Sequence, residues 1–230
     1  MNNVFTISSV TTLILSIIIS HSCRKEEPSL SEYGTVTDIE GNVYKTIIIG
    51  SQTWMAENLK TAKYSNGDSI GTTTGELYSQ GNPGWQFAYD DKESNVPTYG
   101  RLYTFSTLTD IRGICPTGWH VPSDAEWAKL SSYLGGDRAA TNSLKETGTN
   151  HWVNSNKEAT NESGFTAIPC GQRISWGGFD GLGTYTYWWS STFSNTAGMA
   201  YAFYMGTSEK FSKKECDWYY AYSVRCMKGN

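Results

Sequence analysis

The run Cys115-Pro116-Thr117-Gly118-Trp119-His120-Val121-Pro122-Ser123-Asp124-Ala125-Glu126-Trp127 leaves the chain little choice of local structure. Ser123 is a favoured helix N-cap, and Glu126 stands three residues on, where its carboxylate can reach back to the Ser123 backbone N–H. Pro122 sets the entry into the helix. Trp127, Leu130 and Leu134 recur on one helical face with Tyr133 beside them, so one side of the helix must be buried. Gly135-Gly136 ends it, because glycine takes the left-handed turn that follows. The spacing predicts a helix over 123–134, entered from a turn whose Cys115 can anchor a covalent staple.

Composition supports one sizeable domain built around this element. Of the 230 residues only 17% are charged while 14% are aromatic, and the net charge is −4. Short strands, many turns and a core of Trp and Tyr follow from that mix, which supplies enough burial to exclude a disordered chain. A basic patch for nucleic acid is missing, and so is any repeat of solenoid length. The expected fold class is α+β: short antiparallel strands, two or three helices and loop-rich excursions.

The N-terminus is a separate object. Residues 4–19 are apolar or hydroxylic, with Leu13, Ile14, Leu15, Ile17, Ile18 and Ile19 at their centre. That is short for a membrane span and fits a secretory signal over 1–22, ending on the small residues Ser20 and Ser22. Cys23 follows, and the arrangement resembles a bacterial lipoprotein signal, in which the cysteine is lipidated and becomes the first mature residue. Residues 23–33 then read as a lipidated tether. Its Arg24-Lys25-Glu26-Glu27 resembles the surface-export signal of Bacteroidetes-type lipoproteins. The expectation is a chain held by a lipid anchor at the outer membrane or cell surface.

Five cysteines are present. Setting Cys23 aside leaves Cys115, Cys170, Cys216 and Cys226, an even number that suits two disulfides in an exported chain. Three connectivities are open; the nested one, Cys115–Cys226 with Cys170–Cys216, is preferred. Zinc is disfavoured, since no Cys-x-x-Cys pair occurs.

Along the chain, 34–38 and 43–49 read as a hairpin turned at Glu40-Gly41-Asn42. The segment 52–59 is either a helical turn or an extended piece that drops Trp54 and Leu59 into the core. Residues 64–98 are loop-rich. Their Asn66, Asp68, Asp90 and Asp91 raise calcium, but the EF-hand spacing is missing, a surface turn is the favoured reading, and no cofactor is assigned. The segment 99–108 begins extended and finishes as a short helix, a second helix covers 139–145, and 161–168 turns into a short strand. Further strands are expected over 187–192, 199–205 and 222–227. Between them, 171–185 is a glycine-rich excursion holding Trp176, Phe179, Asp180 and Tyr185.

Seven motifs, in order, resemble one known family: Trp54-Met55-Ala56-Glu57-Asn58-Leu59, Gly100-Arg101-Leu102-Tyr103, the Cys115 to Pro122 run, Glu126-Trp127, Ser163-Gly164-Phe165, Trp189-Ser190-Ser191-Thr192 and Ser223-Val224-Arg225-Cys226. The chain is similar over 34–228 to the Fibrobacter succinogenes major paralogous domain, found in exported proteins and lipoproteins of Bacteroidetes. That family brings no established enzymatic activity. The order of motifs is also similar to C-type lectin-like domains. That likeness implies pairing of the first and last cysteines, Cys115–Cys226, and makes Cys170–Cys216 an acquired second bridge. The lectin sugar-calcium motifs are missing, and Glu215-Cys216-Asp217-Trp218 is a poor substitute.

The chemistry-bearing residues favour binding over catalysis. His120 sits in the turn before the capped helix, His151 adjoins Trp152 in a polar loop, and no Ser-His-Asp set or Gly-x-Ser-x-Gly elbow occurs. No catalytic or metal-ligating residue is therefore assigned. A use of Cys170 and Cys216 like that of formylglycine-generating enzymes is weighed below a structural bridge. The binding reading rests on the glycine-rich excursion: Trp176, Phe179 and Tyr185 could stack on a sugar or peptide, with Arg173 and Asp180 as polar contacts. Trp188 and Trp189 read first as core; alternation nonetheless puts one inward and one outward, and Trp189 joins the candidate ligand residues. The expected partner is a glycan or a surface protein, with a purely structural or adhesive module as the alternative.

Overall fold

The computed structural model describes Met1 and residues 33–78, 84–153 and 157–229. Apart from Met1 and Tyr33, the expected signal, Cys23 and the tether lie outside the described residues. No helix among those described is long and apolar enough to cross a membrane.

The fold is α+β, with two sheets and four short α-helices among the described residues. The first sheet runs β1 (Gly34–Thr37), β2 (Val43–Ile49), β3 (Gln52–Met55), β13 (Met227–Lys228), β6 (Trp119–His120). β1 and β2 form the expected hairpin, with Gly34 opposite Thr46. Its turn is fixed by Asp38, whose Oδ1 accepts the backbone N–H groups of Glu40 and Asn42. The 52–59 segment is extended, and Trp54 and Leu59 are fully buried. β13 is inserted between β3 and β6 and joins the N-terminal strands to β6.

The second sheet runs β11 (Ser212–Asp217), β10 (Met199–Gly206), β9 (Tyr185–Phe193), β7 (Cys170–Arg173), β12 (Ala221–Tyr222), β5 (Leu102–Thr104), β4 (Gln86–Phe87), with β8 (Phe179–Leu182) paired to β7. Its pairings are antiparallel except β7 with β9. Helix α1 (Val96–Tyr99) precedes β5, and α2 (Phe105–Thr109) follows it directly. Helix α3 (Asp124–Tyr133) packs against β9 and β10, with α4 (Asp137–Leu144) beside it.

The capped helix forms as its sequence dictates. The Ser123 side chain accepts from the Glu126 N–H, and Glu126 Oε2 accepts from the Ser123 N–H at 2.7 Å. The Gly136 N–H reaches Ser131 O and the Gly135 N–H reaches Ser132 O, a Schellman ending, with both glycines at φ 90°. Gly136 then opens α4. Trp127 and Leu130 are buried, whereas Tyr133 is exposed and lies over Gly50.

β9 carries a core on each face. Trp188 packs among Trp127, Phe165 and Phe203; Trp189 packs on Phe105 and Tyr222. The expectation that one indole points outward is therefore corrected: both are fully buried. Alternation holds, but a strand in the middle of a covered sheet has no outer face. The Trp189 indole N–H donates to Tyr103 O at 2.7 Å, so its polar edge is used inside as well. Trp189 is removed from the ligand residues on this ground.

Three other expectations change. The 161–168 segment stays a turn and contributes a single bridge, Ala167 to Lys145. The 222–227 strand is split into β12 and β13, and its middle passes from one sheet to the other. The glycine-rich excursion is not a free flap: its first half is β7, its second β8, and together they form a hairpin within the sheet. Gly171, at φ 66°, allows this, because a Cβ there would stand 2.5 Å from Asp180 O.

The sulfur chemistry is half as expected. Cys115 and Cys226 are bridged across 111 residues, tying the turn before α3 to the approach to β13. Cys170 and Cys216 are both free and buried, so the second bridge is corrected. Cys170 opens β7 and Cys216 sits on β11, with β9 and β10 between them. Three strand spacings are about 14 Å, twice what a disulfide can span. Cys170 Sγ instead lies 3.1 Å from both Thr186 Oγ1 and Ser223 Oγ.

Candidate functional site

The hairpin β7–β8 ends in a tight turn, in which the Ile174 N–H donates to Gly178 O and the Gly177 N–H to Ile174 O. The turn pushes Trp176 outward, where it is 61% exposed. A second segment comes up beside it. The Leu77 N–H donates to Ser175 O, and Leu77 is buried beneath. That pairing carries Tyr78 to a stacked position 6.0 Å from Trp176. Tyr219, from the turn between β11 and β12, packs 4.5 Å from Tyr78. Asp217 Oδ2 accepts the Tyr78 hydroxyl at 2.6 Å. Three rings from three separate stretches thus form one surface platform with a carboxylate at its edge. Accepting that bond holds the Tyr78 phenol in its neutral form, so its pKa is raised, with burial adding a smaller push.

Arg173 sits beneath the platform and does not face solvent: it is fully buried. Its expected place as a surface contact is corrected. Its guanidinium stacks 4.1 Å from the Phe87 ring centroid, with Phe179 on the other side at 5.7 Å. Nη2 donates to Thr73 O and Gly75 O at 3.3 and 3.0 Å, which pins the segment that presents Tyr78. Among the described residues Nε and Nη1 have no hydrogen-bond partner, and neither does Gln172 Oε1. Burial pushes the Arg173 pKa down. Arg173 is thus a positioning residue, left incompletely paired.

The remaining residues expected to bind divide between two places. Phe179 is half-buried and packs 5.2 Å from Tyr89. Asp180 is exposed on the outer edge of β8. Tyr185 stands apart from Trp176: it starts a stack with Tyr187 and Tyr204 on β9 and β10, and its hydroxyl donates to Glu209 Oε1 at 2.8 Å. The excursion supplied Trp176 to the platform. Tyr78 and Tyr219 were missed because nothing local marks them; they reach Trp176 only through tertiary pairing. Asp217 lay in view, in the motif weighed for calcium.

The other chemistry-bearing residues serve the frame. His120 Nε2 is 2.9 Å from Glu126 Oε1, and His151 Nδ1 is 2.9 Å from both Glu146 oxygens. Burial would raise the Glu126 carboxyl, but bonds from Ser123 and His120 outweigh it and hold its pKa down. Asp68 accepts from Arg112 at 3.1 Å and from Asn66 at 2.9 Å. No cluster of three or more His, Cys, Asp or Glu able to hold a metal occurs among the described residues. The two free thiols are too far apart to act together.

The family model described as the Fibrobacter succinogenes major domain matches residues 47–228, and the chain belongs to that family. No curated protein and no solved structure matches it.

Proposed function

We propose that this chain is an exported lipoprotein whose domain binds glycans, without catalysis, through the platform of Trp176, Tyr78 and Tyr219. The observation that carries the reading is the exposed Trp176 ring stacked beside Tyr78. Flat indole and phenol faces suit the apolar C–H face of a sugar ring, and Asp217 offers an acceptor for its hydroxyls. A large aromatic ring left in water at the tip of a hairpin whose first strand is buried is the feature that asks for a partner.

Export supports the same reading. The apolar stretch before Cys23 and the charged residues after it fit a lipid anchor at the outer membrane or cell surface. A lectin-like architecture is part of the proposal, supported by the Cys115–Cys226 bridge and the capped helix that follows Cys115. Function here is argued from the platform and not from that likeness.

A glycan array probed with the full chain in non-ionic detergent tests the proposal. Signal on a defined set of glycans, lost in Trp176→Ala, supports it. A blank array together with a specific protein captured from cell envelopes would instead establish a protein-binding adhesion module. Membrane release of Cys23→Ala tests the anchor; a variant that stays bound contradicts it.

A further inference from the structure

A cavity of about 470 Å³ opens beside the C-terminal end of α4, away from the aromatic platform. Its size falls within the range of small-ligand sites. Arg138, Lys145, Lys157 and Lys210 line it, against Glu158 and Glu209. Lys210 is drawn towards Asp137, 3.7 Å away. The other three cations make no ion pair with a carboxylate among the described residues.

Lys145 is the unusual member. It caps the end of α4 and is 4% exposed. Its ammonium lies 4.5 Å from the Trp152 ring centroid and donates to Gly206 O. An ammonium has three donors, and Gly206 O is the one hydrogen-bond acceptor it has among the described residues. A buried charge with a single neutral partner is costly, and its pKa is pushed down by that burial. Glu209 and Glu158 act on it only from a distance. The cavity thus has a cationic floor, two exposed cations at its mouth, and two carboxylates that can accept from hydroxyl groups.

We infer that this cavity binds an acidic sugar, its carboxylate on Lys145 between Arg138 and Lys157 and its hydroxyls on Glu158 and Glu209. An inorganic anion would satisfy the cations but be repelled by the two carboxylates. A neutral sugar would leave Lys145 unpaired. A ligand with one negative charge amid hydroxyl donors matches both signs. The inference stands apart from the aromatic platform, and neither depends on the other.

Calorimetric titration of the full chain with glucuronate, its methyl ester, glucose and inorganic phosphate tests it. Glucuronate should bind at least about ten-fold more tightly than each of the other three. Its affinity should fall several-fold between about 50 and about 200 mM salt. Lys145→Met keeps an unbranched apolar chain in the same place without the charge and should weaken glucuronate binding about ten-fold or more. Arg138→Gln with Lys157→Gln, both at exposed positions, should weaken it several-fold with an unchanged unfolding midpoint, which keeps the test sharp if Lys145→Met fails to fold. A glucuronide oligosaccharide binding more tightly than the monomer would identify a polymer as the source, and equal affinity a free sugar. Glucuronate binding no better than its ester or phosphate, or unaffected by the double variant, would overturn the inference.

Discussion

Two buried arginines show where this molecule is finished and where it is not. Arg225 and Arg173 are both hidden from solvent, and each stacks 4.1 Å from a phenylalanine ring centroid, Phe165 and Phe87 respectively. Arg225 uses all three nitrogens: Nε donates to Asn58 Oδ1 at 2.9 Å, Nη1 to Phe165 O and Nη2 to Thr166 O at 3.0 Å. Asn58 Oδ1 also accepts the Trp188 indole N–H at 3.0 Å. Arg225 therefore joins β9, the segment after β3 and the 165–166 turn, one residue before the bridged Cys226. Arg173 uses one nitrogen to hold a loop and leaves two without a partner among the described residues. The first belongs to a rigid frame. The second lies under the face that carries the exposed tryptophan.

The comparison can be broken at several points. Cys115→Ser with Cys226→Ser should cost the most, about 4–5 kcal/mol in urea unfolding, because the bridge closes a 111-residue span. A loss below about 1 kcal/mol would mean that the frame does not depend on it. Arg225→Met should cost about 3 kcal/mol, since Asn58 Oδ1 and two carbonyls lose a buried donor. Burial depresses the Arg225 pKa to about 9, which still leaves the guanidinium charged at neutral pH.

Glu126→Gln should cost about 1 kcal/mol by weakening the capping box. The lowered Glu126 pKa gives this a pH signature. Its contribution is present above the unfolded carboxyl range and is lost as pH falls through the folded value. The difference between wild type and variant should therefore shrink in acid. A difference that grows in acid would reverse the assignment. Arg173→Met should change stability least, by less than about 1 kcal/mol, because it also removes two buried donor nitrogens that have no partner among the described residues. It should nevertheless weaken glycan binding by freeing the Tyr78 segment.

The frame was largely legible in the sequence and the platform largely was not. Ser123, Glu126 and Gly135-Gly136 act within a few residues of one another, so the pattern gives the helix, its cap and its end. The Cys115–Cys226 pairing came from a likeness to known domains. Trp189 was misplaced because alternation says which residues share a face, not whether that face is covered. Cys170 and Cys216 were paired by arithmetic, and only the strand order shows two strands standing between them. Glycine in 171–185 looked like looseness but serves a tight approach of Gly171 to β8. The platform joins residues from 78, 176 and 219, and no local pattern links positions so far apart.

The most direct test of the division between frame and binding face is Trp176→Ala, read on two scales at once. The account predicts an unfolding free energy within about 0.5 kcal/mol of wild type, as befits an exposed side chain, and loss of the glycan array signal. Retained signal with the same stability would contradict it, and the exposed tryptophan would then be a bystander.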